Sequence, residues 1–516
     1  MATNSQNADS LKPAKAYTIF MVPFYYEGEW KNIYQKYDRW QPIMENLYTE
    51  DVLYPYIMDL FSYESLYNKS SLLIYEFNSS NNGINSKMFV DRILGKKQIA
   101  LLGKNAEEKK NPQQINFTLL NEGNFAPHLF VSPTAKIGLL TFSIELENTC
   151  TTEQHISLNY WLHKRNELDK YQNVCLKPEE QEETEMLKDS KLILDAIPGL
   201  WKKSQKNTRK EIDYVCWNIN DFVDCIMGTM GEARVGEERI QYFSSYRMHL
   251  FSFRSMQDSE SQIKPDDINR SLIRLSRCVN SNYLLLFDKL KDEGAVLQTY
   301  ENIYFSSAIE GASMICIGKK DNEKFIADIH SKFSRQYLLI YILVLLQRYT
   351  LQSIERKLTE YESTDKKSDT KLWSLIDVVC RIKTNCYYTD VSIYSHHSQF
   401  YQFCCKNLRI PETFKEVSEK IELLKLTTDR NMQQVQKKSE RLQRLLNIIV
   451  AILTIAQVMQ AVFELSTAEE DITFALDAGK VCFGIIILAY LWSYFKDFFT
   501  IKNNKKTNYG NNKRTI

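Results

Sequence analysis

Four polar residues recur inside an apolar stretch near the end of the chain: Asn447, Thr454, Gln457 and Glu464, within residues 445–465 (LLNIIVAILTIAQVMQAVFEL). At about 100° per residue they fall within about 100° of helical arc, with Gln460 at the edge of the stripe. Polar groups inside a membrane helix are costly and by default mark an ion or substrate path. The chemistry open to them is to line a water-filled pore, or, as the plainer alternative, to glue helices together through their amides. Beyond them, Glu469, Glu470 and Asp471 would stack with Glu464 as acidic rings in an oligomer. Such rings concentrate cations at a mouth and disfavour anions. The plainer alternative is an acidic external loop with no role in selectivity.

Two apolar runs would have to carry these residues. Residues 445–465 and 481–499 (VCFGIIILAYLWSYFKDFF) are each about long enough to cross a hydrocarbon core of ~30 Å. The link, 466–480, is too short for a domain and long enough for a turn outside the membrane. Lys437, Lys438, Arg441 and Arg444 precede the first run, and Lys502, Lys505, Lys506, Lys513 and Arg514 follow the second. Lys and Arg mark the cytoplasmic side, so both termini are expected there, with the acidic tip outside. The second run has no polar stripe, and its Tyr490, Trp492 and Tyr494 read as interfacial anchors. First helices lining a pore, ringed by second helices facing lipid, would explain the asymmetry.

The first run is itself expected to continue a stalk. From Glu412, apolar residues fall at Phe414, Val417, Ile421, Leu424, Met432, Val435, Leu442 and Leu446, a heptad-like seam uninterrupted by Pro or Gly. One helix of about 50 residues, roughly 80 Å long, would run from Pro411 through the bilayer. A lone helix with such a seam needs a partner. The sequence therefore predicts a homo-oligomer, unless the seam packs on this chain's own head.

A length of 516 residues allows several domains, and a net charge of +1 argues against direct nucleic-acid binding. Residues 1–15 (MATNSQNADSLKPAK) are polar, lack the apolar core of a signal peptide and read as disordered, so the head is expected to remain cytosolic. The 11 cysteines form no CxxC, and the adjacent Cys404–Cys405 pair lacks metal-site spacing, which suits free thiols in a reducing compartment. Gly95–Lys96 and Gly103–Lys104 sit in no GxxxxGK[ST] motif. No HExxH, GxSxG or GxGxxG occurs, and His396–His397 are adjacent rather than a turn apart. No catalytic constellation emerges, and the chain is not expected to be an enzyme or to hold a covalent cofactor.

Residues 16–330 read as a mixed α/β, ligand-sensing cytosolic domain. Strands are expected at 16–25 (AYTIFMVPFY) and 71–77, a hairpin at 129–131 and 137–146, and extended chain at 239–256. Helices are expected at 153–172 and 266–278, with an acidic surface run at 179–185 (EEQEETE). Residues 331–410 read as helical. Within them 337–346 (YLLIYILVLL) is apolar all round but too short to span a bilayer, so a buried core helix is expected. The remaining boundaries are 411–444 for the stalk, 445–465 and 481–499 for the spans, 466–480 for the external loop and 500–516 for a basic cytosolic tail. The expected fold class is thus an α+β cytosolic domain followed by a long stalk helix and two C-terminal transmembrane helices, oligomeric, in a multi-pass membrane protein.

This layout resembles the CorA-type metal ion transporter superfamily, most specifically over residues 411–514. The resemblance implies homopentamers with a cation pore along the first span, in the inner (cytoplasmic) membrane. The family's Gly-Met-Asn tripeptide is absent: the equivalent place reads Gln460-Ala-Val-Phe-Glu464. Residues 275–283 (LSRCVNSNY), 296–311 (VLQTYENIYFSSAIEG) and 337–351 (YLLIYILVLLQRYTL) resemble segments of CorA-like membrane effectors associated with type III CRISPR systems. That resemblance implies antiviral defence, with a nucleotide second messenger such as an AMP conjugate of S-adenosylmethionine binding the head and perturbing the membrane. Arg274, Arg277, Asn280 and Tyr283 would offer guanidinium forks, an amide and a ring to such a ligand. Asn302 and Glu310 could read a base edge or ribose, and Lys164–Arg165 could clamp phosphate. Arg274 and Arg277, three apart on a helix, could equally pair with carboxylates. A divalent cation transporter and a membrane-anchored sensor or scaffold without a pore remain the alternatives.

Overall fold

The structure, a computed structural model, describes residues 13–30, 33, 40–43, 53–58, 72–77, 93–95, 97–102, 113–164, 172–176, 201–207, 210–217, 219–227, 240–243, 247–258, 264–319, 323–359, 376, 388, 390–466 and 484. The chain divides into two compact units, Met1–Glu422 and Leu423–Ile516. Arg165, the acidic run at 179–185, Glu469, Glu470, Asp471, the tail and all of the second apolar run except Gly484 lie outside the described residues.

The first unit is built on one mixed sheet. Its strands are β1 (Pro13–Tyr26), β2 (Trp40–Pro42), β3 (Leu73–Phe77), β4 (Lys97–Leu102), β5 (Gln113–Leu119), β6 (His128–Ser132), β7 (Ile137–Leu146) and β8 (Gln172–Leu176). They continue with β9 (Trp201–Asn207), β10 (Lys210–Trp217), β11 (Ile240–Tyr242), β12 (His249–Asp258), β13 (Val296–Tyr300), β14 (Ile303–Ser307) and β15 (Gly311–Lys319). The main path runs β13-β14-β15-β12-β1-β7-β5-β4-β8-β10-β9. β12 and β15 are parallel, with Leu250 opposite Gly311, whereas β1 is antiparallel to both β7 and β12.

β1 reads as a nearly continuous apolar run because both of its faces are covered. Phe20, Val22, Phe24 and Tyr26 point to one core, and Tyr17, Ile19 and Met21 to the other. On the first face lie α1 (Thr152–Leu162), α2 (Ile219–Met227) and α3 (Pro265–Arg277), followed by the short exposed α4 (Phe287–Asp292). On the second face lie α5 (Glu323–Lys332), a π-helical turn at Phe333–Tyr337, α6 (Leu338–Thr359) and α7 (Ser395–Asn407).

The apolar run of α6 is the core helix of this face, and Leu338 to Gln347 are buried without exception. Lys324–Thr359 holds a window of 18 residues with a mean hydropathy of 1.3, enough by length and composition to cross a membrane, yet 83% of that window is buried in the protein. The expectation of a core helix at 337–346 agrees with this placement.

Other boundaries moved. The helix expected over 153–172 stops at Leu162, where the His163 backbone N–H caps back to the Asn159 carbonyl, and residues 172–176 are a strand. The extended stretch expected over 239–256 is two strands, with β11 pairing on Phe24–Tyr26 and β12 on the preceding part of β1. The stalk begins one residue earlier than expected: α8 runs unbroken over Ile410–Ser466. The first seam residues, Val417 and Ile421, are buried in the first unit, and Phe414 packs on the α6–α7 core. For that part of the seam, the partner is this chain's own head.

Candidate functional site

A row of hydroxyls crosses the sheet beneath α1 and α3. Thr18, Ser252, Ser313 and Ser306 stand opposite one another on four adjacent strands, and all four are buried. Small side chains there let the two helices approach, and the helices supply the hydrogen bonds that burial demands. Thr18 Oγ1 lies 2.8 Å from His155 Nε2 and donates to Asn159 Oδ1 at 2.9 Å; Asn159 Nδ2 donates to Ser252 Oγ at 2.8 Å. Ser313 Oγ donates to the Leu272 carbonyl at 2.8 Å, and the Ser276 and Ser306 hydroxyls are 2.8 Å apart. Burial and the nearby Arg254 charge push His155 well below the usual imidazole range, so it stays neutral. This layer positions α1 and α3; at full burial it offers no substrate access.

What the helices position lies at the sheet edge where β12 and β15 begin. A capping box opens α1: Gln154 N–H donates to Thr151 Oγ1 (3.2 Å) and Thr151 N–H to Gln154 Oε1 (2.9 Å). At its other end, Met248 N–H donates to the His163 carbonyl at 2.8 Å, and Lys164 bridges to Arg247. Lys164 Nζ donates to Tyr160 Oη at 3.1 Å and sits 4.2 Å from that ring's centroid and 5.7 Å from Trp161's. α3 ends on Cys278 in the left-handed conformation (φ 52°), which turns the chain into the Asn280–Tyr283 loop. Asn280 Oδ1 accepts Asn282 N–H (3.2 Å) and its carbonyl accepts Tyr283 N–H (3.2 Å). That turn lays Tyr283 against Tyr160, with ring centroids 6.1 Å and hydroxyls 3.4 Å apart.

Glu310 completes the edge from the β14–β15 turn, which is closed by Ala308 N–H donating to the Gly311 carbonyl at 2.8 Å. Gly311 is required there, since a Cβ would sit 2.6 Å from the Leu250 carbonyl oxygen. Arg247 and Glu310 both act electrostatically on Cys278, whose thiol burial pushes well above its ordinary value. Burial also holds His163 down at about 4 and His249 at about 3. These imidazoles are neutral at pH 7 and the thiol is protonated, so none is poised as acid, base or nucleophile. Two cations, a carboxylate and the exposed Tyr283 ring suit binding a flat, partly anionic small molecule, while the buried Asn280 amide shapes the loop that carries the ring.

The structure thus brings Lys164, Asn280, Tyr283 and Glu310 to one edge. Arg274 is engaged elsewhere: its guanidinium makes a bidentate pair with Glu153, with Nη2–Oε2 at 2.7 Å, and its Nε donates to the Val279 carbonyl. It clamps α3 to α1. Arg277 is half-buried on the last turn of α3, and its side chain is in no hydrogen bond or ion pair seen among the described residues. Asn302 caps the far end of β14, its amide donating to the Ile317 carbonyl at 3.2 Å. At about 3.3 Å per residue, β14 separates it from Glu310 by roughly 17 Å. The sequence marks none of Tyr160, Trp161 and Arg247 for the site, and it places Trp161 on the apolar face of the helix expected over 153–172. The i,i+4 spacing of Tyr160 and Lys164 is the one local signal that pointed to any of them.

In the second unit, Asn447, Thr454, Gln457 and Gln460 are exposed on α8, which also includes Glu464. Thr454 Oγ1 donates to the Val450 carbonyl at 2.8 Å. Leu445, Leu446, Ile449, Val450, Ile452 and Leu453 are between 52% and 60% exposed. Among the described residues no group of three His, Cys, Asp or Glu side chains could hold a metal ion. The sequence matches no known protein-family profile, and no curated protein sequence matches it significantly.

Proposed function

We propose that this chain is a CorA-like membrane channel or effector, its head binding a cytosolic nucleotide messenger at the Lys164–Arg247–Tyr283–Glu310 edge and its long helix supplying a pore wall. The observation that carries this reading is the exposed apolar stretch of α8. Six large aliphatic side chains from Leu445 to Leu453 cover an arc of about 160° on one helix, each more than half exposed. Left in water they forgo on the order of 1 kcal/mol or more apiece, which lipid and neighbouring copies would recover. The stripe of Asn447, Thr454, Gln457 and Gln460 on the same helix supports a pore-lining role. The aromatic and cationic edge of the head supports a phosphorylated, base-bearing ligand, in defence of the type III CRISPR kind. For a ligand to gate the pore it must bind open and closed heads with different affinity.

One observation favours an anchor without a pore: the Thr454 hydroxyl is already satisfied by its own helix and does not need water. Ion flux through liposomes separates the two readings. The channel reading expects Gln457→Leu to change flux severalfold; flux unaltered by that substitution supports the anchor. A thermal-shift screen of the detergent-purified chain against adenine nucleotides, S-adenosylmethionine conjugates and divalent cations tests the ligand. Stabilisation by nucleotide, weakened by Tyr283→Ala, is expected. Stabilisation by divalent cations alone would instead favour a metal transporter.

A further inference from the structure

Just ahead of the apolar stretch of α8 lies a charged surface that neither the proposed pore nor the head uses. Lys437, Lys438, Arg441 and Arg444 are all exposed on the helix. At about 100° per residue, Lys437, Arg441 and Arg444 share an arc of about 60°. The polar positions Asn447, Thr454 and Gln457 centre about 120° further round the helix. Glu440, the one carboxylate between Lys437 and Arg444, lies about 60° from Lys437 toward the polar side. The three cations therefore form a stripe of one sign that faces away from the polar stripe.

Their depth is set by the same helix. At about 1.5 Å per residue, Arg444 lies ~1.5 Å and Lys437 ~12 Å before the first residue of the apolar stretch. The headgroup layer extends roughly 5–8 Å beyond the hydrocarbon on each side, and long basic side chains reach several Å more. A stripe turned away from the pore axis at this level meets lipid phosphates, which arginine forks bind bidentately.

Resting on the membrane reading above, we propose that Lys437, Arg441 and Arg444 form a binding surface for the anionic phospholipid headgroups of the leaflet at which the apolar stretch of α8 begins. The selectivity is for negative charge, and the attraction weakens with salt.

The test uses the full chain, delipidated in neutral detergent and passed through mixed micelles of phosphatidylglycerol or phosphatidylcholine, with retained lipid measured. Wild-type protein is expected to retain phosphatidylglycerol preferentially and to release it at high salt. Substituting Lys437→Gln, Arg441→Gln and Arg444→Gln together should weaken that retention about 100-fold. Lys438→Gln, off the stripe, should change it only a few-fold. A charge-preserving double change, Arg441→Lys with Arg444→Lys, should keep most of it. Equal retention of the two lipids, undiminished retention by the triple variant, or displacement by millimolar inorganic phosphate would each overturn the proposal. An alkaline carbonate wash of cell membranes tells the two readings apart. Release of the chain by the wash removes the membrane reading, whereas a chain that stays but shows no preference for phosphatidylglycerol removes only the lipid surface.

Discussion

Two apolar helical stretches in this chain meet opposite fates. In α6, every residue from Leu338 to Gln347 is buried, with Ile340, Tyr341, Ile342, Val344 and Leu345 at 0% exposure. In α8, the apolar residues from Leu445 to Leu453 are more than half exposed, apart from Ile448 and Ala451, which are intermediate. Both are runs of large, mostly aliphatic residues, interrupted in α8 by Asn447. What separates them is what surrounds them. α6 has the face of a sheet, with Phe251, Phe305 and Phe333, and the α7 residues Phe400 and Tyr401, in the same core. An apolar helix covered by protein is a core element, and one covered by nothing in its own chain asks for lipid or another copy.

The sharpest way to break this contrast is to place the same charge in both helices. Ile342→Asp should unfold the head, since an unpaired carboxylate buried there costs more than about 4 kcal/mol. Leu453→Asp should leave the head's stability within about 0.5 kcal/mol and instead reduce retention of the chain in membranes. Denaturant melting in detergent, alongside membrane fractionation, reads both. Equal loss of head stability from the two substitutions would mean that α8 is also a core helix.

Acid should act on the head and spare the apolar stretch of α8. His128 and His163 are held at about 4 and His249 at about 3, in each case chiefly by burial. Below about 6.5 the unfolded chain takes up protons that these folded imidazoles refuse, so stability falls as pH drops from about 6.5 toward 4. Each such group contributes up to about 1.4 kcal/mol per pH unit in that window. Residues 445–463 hold no titratable group, so their membrane retention should be flat from pH 7 to 5. The smallest effect is expected at the α1–α3 clamp. Arg274→Ala should cost about 1 kcal/mol of head stability, given that Glu153 is 45% exposed, and Arg277→Ala less than about 0.5 kcal/mol.

The sequence carried the elements further than the site. β1 was legible because its β-branched and aromatic run is buried on both faces, and α3 because Pro265 and acidic residues open it and Arg274 and Arg277 close it. The end of α1 was not legible, since no Gly or Pro follows Leu162 and the stop is imposed by pairing of His163 with Met248, the residue just before β12. The site suffered more from the same cause. Arg274 looked like a phosphate fork from its own helix, but its partner Glu153 lies 121 residues away. Asn302 and Glu310 are neighbours in sequence and stand at opposite ends of β14. The hydroxyl row of Thr18, Ser252, Ser313 and Ser306 exists only through the register of four strands, which no local pattern encodes.

The central claim, that the apolar stretch of α8 lies in lipid while α6 lies in protein, is tested most directly by a lipid-phase photoactivatable carbene probe. Membranes containing the full chain would be labelled and the modified peptides mapped. Labelling across residues 445–465, with none over 338–359, is the predicted result. Labelling of 338–359, or an unlabelled 445–465, would contradict it.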